Sequence, residues 1–153
     1  MGETSGTLSY AGGGEGIRST FKAPYLVLLL VADRPEVGSI RLSLAEVAQA
    51  NIGRGELFAH RRSHDGADAQ LHVEVPDGWM STRHLELRHE AGNWRMHDAG
   101  SKNGCYQNGQ RCSDVTLRDG DIIGTGNTSF LFRSNVERTH LDAADASSLM
   151  MRA

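Results

Sequence analysis

Apolar residues recur at every second position in a series of short runs: Ile40, Leu42 and Leu44; Leu71, Val73 and Val75; Leu85 and Leu87; Trp94 and Met96; Phe130 and Phe132. Successive side chains on a strand point to opposite faces, so this repeat marks strands with one buried side. The runs are separated by Gly, Asp and Asn turns, and the 153 residues hold 18 glycines against 3 prolines. Many short strands with such turns favour an all-β sandwich or barrel, with helix confined to the ends. A hydrophobic content of 39% suits one domain with tails. We place that domain over residues 23–134. Residues 1–22, rich in Gly, Ser and Thr, read as a flexible leader. Residues 135–153 shift to Ala, Asp, Glu, Ser and Met and read as a helical or disordered linker.

Other stretches are read individually. Tyr25 to Val31 is a continuous apolar run that suits a buried strand and is too short for a membrane span. It has no basic leader or small-residue cleavage site, so neither a signal peptide nor a membrane contact is expected and the location read is cytoplasmic. Ala45 to Ala50 reads as a helical turn or a connecting loop. Ile52 is expected to point inward beside Gly53, which lets the backbone bend or approach a neighbour closely. Glu56 to Gln70, containing HRRSHDGADAQ, reads as a long exposed loop. Its His60 and His64 would share a helix face, but no third metal ligand accompanies them. In CYQNGQRC the Asn108-Gly109 pair is a hairpin signal, and counting outward sets Cys105 opposite Cys112. Reduced thiols that fill space suit these two better than a zinc site or a disulfide.

Two polar clusters stand out, Ser81-Thr82-Arg83-His84 and Gly100-Ser101-Lys102-Asn103-Gly104. If the Leu85 and Trp94 runs pair through a turn at Glu90 to Asn93, both clusters lie at the ends away from that turn and close together. Ser81 with His84 and the nearby His97-Asp98 raises a catalytic triad, but no Gly-x-Ser-x-Gly elbow accompanies the serine, so binding is expected and catalysis is not. Ser81, Thr82, Arg83, Arg54 and Lys102 share the capacity to donate hydrogen bonds to an anion. Asn103 can both donate to and accept from an extended backbone. A net charge of −3 argues against a nucleic-acid surface on this segment.

The residues resemble the forkhead-associated (FHA) domain family, which recognises phosphothreonine peptides. The family pattern stands here as Gly53-Arg54, Ser81-Thr82-Arg83-His84, Ser101-Lys102-Asn103-Gly104 and Asn108-Gly109, followed by Leu117-x-Asp119-Gly120-Asp121. The likeness covers about residues 24 to 134. Cys105 departs from the threonine common after the Asn-Gly pair, a change expected in packing more than in recognition. The resemblance implies a β-sandwich of two antiparallel sheets with binding loops at one end. It implies phosphate binding by Arg54 and Ser81 with Thr82 and Lys102 beside it, and Asn103 on the peptide backbone. It leaves Arg83 peripheral and makes Gly53, His84 and Gly104 structural. The implied partner is a phosphothreonine-containing protein, or this protein's own chain, with a Ser/Thr kinase upstream and no cofactor. Families built this way include bacterial sigma-54-dependent transcription activators, in which the module is a signal-receiving input. The uncapped tail suits an N-terminal piece of such a longer protein. The rival is an FHA-like scaffold for phosphate-independent protein contact or dimerisation.

Overall fold

The computed structural model describes residues 20–139, with side chains over 23–134. Strands β1 (Thr20–Val31), β2 (Ile40–Ser43), β3 (Val47–Arg54), β4 (Ala59–Asp65), β5 (Asp68–Val75) and β6 (Leu85–Glu90) occupy the first part of this span. They are followed by β7 (Asn93–Asp98), β8 (Cys105–Gln107), β9 (Gln110–Cys112), β10 (Asp114–Thr116), β11 (Ile122–Thr125) and β12 (Thr128–Thr139). The only helical piece among these residues is a 3-10 turn at Pro35–Val37. Two six-stranded sheets result, ordered β2-β1-β12-β11-β8-β9 and β10-β7-β6-β3-β5-β4. Pairing of β1 with β12 begins at Thr20↔Thr139, outside the 23–134 boundaries drawn from composition. The remainder of the expected leader and linker, 1–19 and 140–153, lies outside the described residues.

The alternating residues meet between the sheets. Leu26, Leu28, Leu42, Ile123, Phe130 and Phe132 from the first sheet face Ile52, Leu71, Val73, Leu85, Leu87, Trp94 and Met96 from the second. The turn between β6 and β7 places Ala91 at φ 51 and Gly92 at φ 81, the left-handed pair of a two-residue hairpin. It sets Leu85 opposite Asp98, so both polar clusters fall at the far end as expected. Asn108 (φ 51) and Gly109 (φ 84) form the other expected hairpin, with Cys105 opposite Cys112. Both cysteines are free thiols. Burial, then the negative charge of Asp98, pushes the Cys105 thiol up to about 12, and the same causes raise Cys112.

Several stretches differ from their sequence reading, each for a physical reason. Residues 59–65 are not loop but the edge strand β4, which hairpins onto β5 through Gly66 at φ 67. Almost every side chain of β4 is exposed, so it carries no apolar alternation to detect. His60 and His64 therefore sit on a strand, and no group of three or more potential metal ligands occurs among the described residues. Ala45 to Ala50 is neither helical turn nor loop, because β3 begins at Val47. A register shift between Val47 and Gln49 lets Val47 and Ala50, three apart, both face the core. A second shift between Leu28 and Leu30 turns Leu29 and Leu30 outward, 39% and 47% exposed, within the run expected to be buried. The pairing is antiparallel except between β3 and β5, which run parallel because β4 intervenes in the chain and pairs on the outer side of β5.

Gly53 meets its expectation of close approach in full: a β-carbon there would stand 1.8 Å from the backbone oxygen of Thr82. Replacing it moves main chain, not a flexible tip. We expect Gly53→Ala to lose roughly 2 kcal/mol or more in a urea melt. Gly78→Ala, where nothing lies within 4 Å of the new atom, should stay within about 0.5 kcal/mol of the parent. Because only the thiolate reacts, native Cys105 should resist iodoacetamide at mildly alkaline pH and react promptly once the chain is unfolded, as mass spectrometry of labelled peptides will show.

Candidate functional site

His84 is fully buried where β6 begins, under the loop end of the sandwich. Its Nδ1 accepts the Ser81 backbone N–H at 2.9 Å. Since Nδ1 is an acceptor, the ring proton sits on Nε2, which donates to the Gly104 carbonyl at 2.7 Å. The His84 main chain joins as well, its N–H on the Ile52 carbonyl and its carbonyl accepting from Ala99. One side chain thus ties together the end of β3 and the loops before β6 and after β7.

The loop after β7 closes on itself. Asp98 accepts the Ser101 N–H at 2.7 Å, and Ser101 Oγ accepts the Gly104 N–H at 2.9 Å. Gly104 takes φ 86, and a β-carbon there would meet the Arg111 guanidinium at 2.8 Å, so this glycine is required twice over. The closed loop presents Lys102 and Asn103 to the neighbouring loop. The Lys102 N–H reaches Ser81 Oγ at 3.0 Å, and Asn103 Nδ2 donates to the Trp79 carbonyl at 2.8 Å. From the other side the Arg54 N–H bonds the Ser81 carbonyl at 3.0 Å, and its guanidinium comes within 3.5 Å of Thr82 Oγ1.

Arg54, Ser81, Thr82, Lys102 and Asn103, far apart in the chain, therefore converge over Gly53, His84 and Gly104. Ser81 Oγ accepts from Lys102, which leaves its own hydrogen to donate outward. Asn103 keeps its carbonyl oxygen and a second N–H. The Arg54 and Lys102 side chains are exposed, and no ion pair is formed by either among the described residues. Arg83 stands at their edge: it lines a surface groove with Arg54 and Thr82, and its guanidinium pairs with Glu86 at 3.3 Å. A Ser81–His84 nucleophile pair is not formed, because both His84 nitrogens are engaged by backbone groups and neither meets Ser81 Oγ. The assembly is a cluster of outward donors and cations without a base, suited to holding an anion with an extended chain beside it.

Two contributors were missed in the sequence. Asp77 is fully buried, and its carboxylate accepts from the Trp79 N–H (2.9 Å), the Asn127 N–H (2.7 Å) and the Thr128 hydroxyl (2.7 Å). It locks the loop before Ser81 onto the β11–β12 turn. Trp79 itself stands beside Asn103 with its side chain outward. Aspartate followed by glycine signalled a turn, but nothing in its spacing revealed a partner fifty residues away. No helix of the described residues is long and apolar enough to cross a membrane. Removing the imidazole strands buried polar groups of two loops, so we expect His84→Ala to lower stability by roughly 2–4 kcal/mol. A urea midpoint shift at unchanged m-value would measure it.

Comparison with known proteins places these residues in a wider setting. Residues 51–126 match the FHA domain family. An FHA domain-containing protein of Arabidopsis thaliana is 38% identical over 57 residues, 35% of this chain and 15% of that protein. FhaA of Mycobacterium tuberculosis is 32% identical over 89 residues, 56% of this chain and 16% of that protein. The chain thus spans only a small part of the length of these relatives. A structure solved for phosphothreonine-dependent FHA domain interactions is 26% identical, with a TM-score of 0.50, covering 72% of this chain and 95% of that one. With its two-sheet sandwich and the matched span running through every residue of the loop cluster, the chain belongs to the FHA domain family.

Proposed function

We propose that the loop end binds phosphothreonine in a partner protein or in this protein's own chain, as the reading step of a kinase-driven signal. The observation that carries this is the convergence of Arg54, Ser81, Thr82 and Lys102 with their donors outward and no carboxylate among them. Arg54 and Ser81 would hold the phosphate, Thr82 and Lys102 would flank it, and Asn103 would grip the peptide backbone beside the phosphothreonine. Arg83, paired with Glu86, contributes at the periphery. The phosphothreonine-dependent interactions of a structural relative support the same assignment.

Each charge-assisted hydrogen bond adds roughly 1.5–3 kcal/mol, and ordering a flexible peptide costs roughly 2–5 kcal/mol. Four phosphate contacts near the upper value, set against a mid-range ordering cost, leave a net of about 8 kcal/mol, a micromolar Kd. Binding of that strength follows kinase and phosphatase activity, since removing the dianion removes most of the contacts. An input module within a larger cytoplasmic regulatory protein is the context that the sequence resemblance suggests. A sigma-54-dependent activator is one such host, and it rests on the sequence resemblance alone.

Isothermal titration of the chain with phosphothreonine, phosphoserine and unphosphorylated versions of one peptide tests the reading. We expect measurable affinity for the phosphothreonine form only, and a loss of roughly thirtyfold or more in Arg54→Ala. Binding that ignores the phosphate, or that survives Arg54→Ala intact, would reject a phosphate reader and leave the scaffold role.

A further inference from the structure

We infer that Trp79 is a specificity-determining residue of this site, an aromatic platform that takes an apolar side chain of the ligand peptide next to the phosphothreonine. The inference rests on the phosphothreonine reading and names the class of peptide that the site prefers.

Trp79 is 57% exposed, whereas Trp94 is 5% exposed and packs in the core. An indole left in water is a large apolar surface without a partner, and aromatic anchors of this kind dominate recognition interfaces. Trp79 is also held firmly. Its N–H is bound by the buried Asp77 carboxylate at 2.9 Å and its carbonyl by Asn103 Nδ2 at 2.8 Å. The Gly126 turn closes on its main chain from the far side, where a β-carbon would come within 3.1 Å of the Trp79 carbonyl carbon. A rigid mount lets the ring receive an apolar group without losing much freedom of its own.

Its place along the site decides what it meets. The hydrogen-bond chain runs from Arg54 to Ser81, from Ser81 to Lys102 at the start of the closed loop, and from Asn103 of that loop to Trp79. Trp79 precedes Ser81 by two residues and its carbonyl is held by Asn103, so the indole is mounted next to both a proposed phosphate donor and the backbone-gripping amide. An extended peptide with its phosphate at Arg54 and its backbone against Asn103 passes the indole within a residue or two, given about 3.3 Å per residue of extended chain. Leu57, 73% exposed on the loop after Arg54, is another large apolar side chain in solvent and serves as the control.

The test uses synthetic phosphothreonine peptides in a Gly/Ser background, with leucine placed at each flanking position in turn, titrated against the full chain. One leucine position should bind roughly tenfold tighter than the background peptide. That ratio should collapse towards unity in Trp79→Ala and persist in Leu57→Ala. Because Trp94 is buried, a blue shift of tryptophan emission with the leucine peptide, absent in Trp79→Ala, is the expected spectroscopic signature. A leucine preference that survives Trp79→Ala, or that disappears in Leu57→Ala alone, overturns the inference. So does the lack of any preference while binding still depends on phosphate and Arg54. If no phosphothreonine peptide binds, or Arg54→Ala has no effect, the phosphate reading itself fails and this inference falls with it.

Discussion

A single buried imidazole carries the loop end of this sandwich. His84 accepts a hydrogen bond from the Ser81 backbone N–H and donates one to the Gly104 carbonyl, and it can do both only as one tautomer of the ring. A lysine or arginine would offer donors alone and a carboxylate acceptors alone. A leucine of similar bulk would leave an N–H and a carbonyl unpaired in the interior, at a cost of about 1–3 kcal/mol each. The ring therefore sets the spacing between the two loops as well as filling the space below them. Every polar group presented to solvent by Ser81, Lys102 and Asn103 inherits its position from that spacing.

Asp77 plays the complementary part on the other flank. Its buried carboxylate takes hydrogen bonds from three donors and forms no ion pair among the described residues. Two of the donors come from the β11–β12 turn, so the loop before Ser81 is bolted to the first sheet while His84 bolts it to the second. Gly126 allows this closeness, since a β-carbon there would press to 2.8 Å from Asp77 Oδ2. A loop fixed to both sheets gives up little entropy when a ligand arrives, which is how a shallow, solvent-facing site obtains useful affinity from few contacts.

How much of this was legible depended on where each signal is stored. The β6–β7 and β8–β9 hairpins were readable because alternation and turn chemistry are local, and their registers follow by counting. Gly53 was readable as a point of close approach because a glycine between an inward Ile52 and Arg54 has few other reasons to be there. The edge strand β4 was not readable, because a strand exposed on both faces has no pattern to distinguish it from loop. The strand position of Val47 with Ala50 and the outward turn of Leu29 and Leu30 were not readable, because a register shift lets residues three apart, Val47 and Ala50 or Leu28 and Val31, share a face, the spacing that otherwise marks a helix. The parallel β3–β5 pair and the role of Asp77 depend on partners remote in sequence. Arg54, Ser81, Thr82, Lys102 and Asn103 were legible as an ordered set through family resemblance. The pairing of Arg83 with Glu86 was not, since either residue could equally have faced solvent alone.

Net charge and local charge tell different stories in this chain. A formal charge of −3 keeps polyanions at a distance in general, yet Arg54 and Lys102 stand at the loop end free of ion pairs among the described residues. Some other cations are matched, Arg95 by Asp114, Arg133 by Asp119, Arg83 and Arg88 by Glu86, while Arg34, Arg41, Arg61, Arg62, Arg111 and Arg118 are also exposed without an ion pair among the described residues. Asp98, the carboxylate nearest the closed loop, is turned beneath it to hold the Ser101 N–H and does not face solvent alongside Lys102. Long-range repulsion is screened within about 8–10 Å at physiological salt, so the proposed dianion would respond to the local charge of Arg54 and Lys102 more than to the overall sign. The acidic remainder then serves discrimination, because a ligand has to concentrate its negative charge at one point to gain more from the loop end than it loses to the rest of the surface.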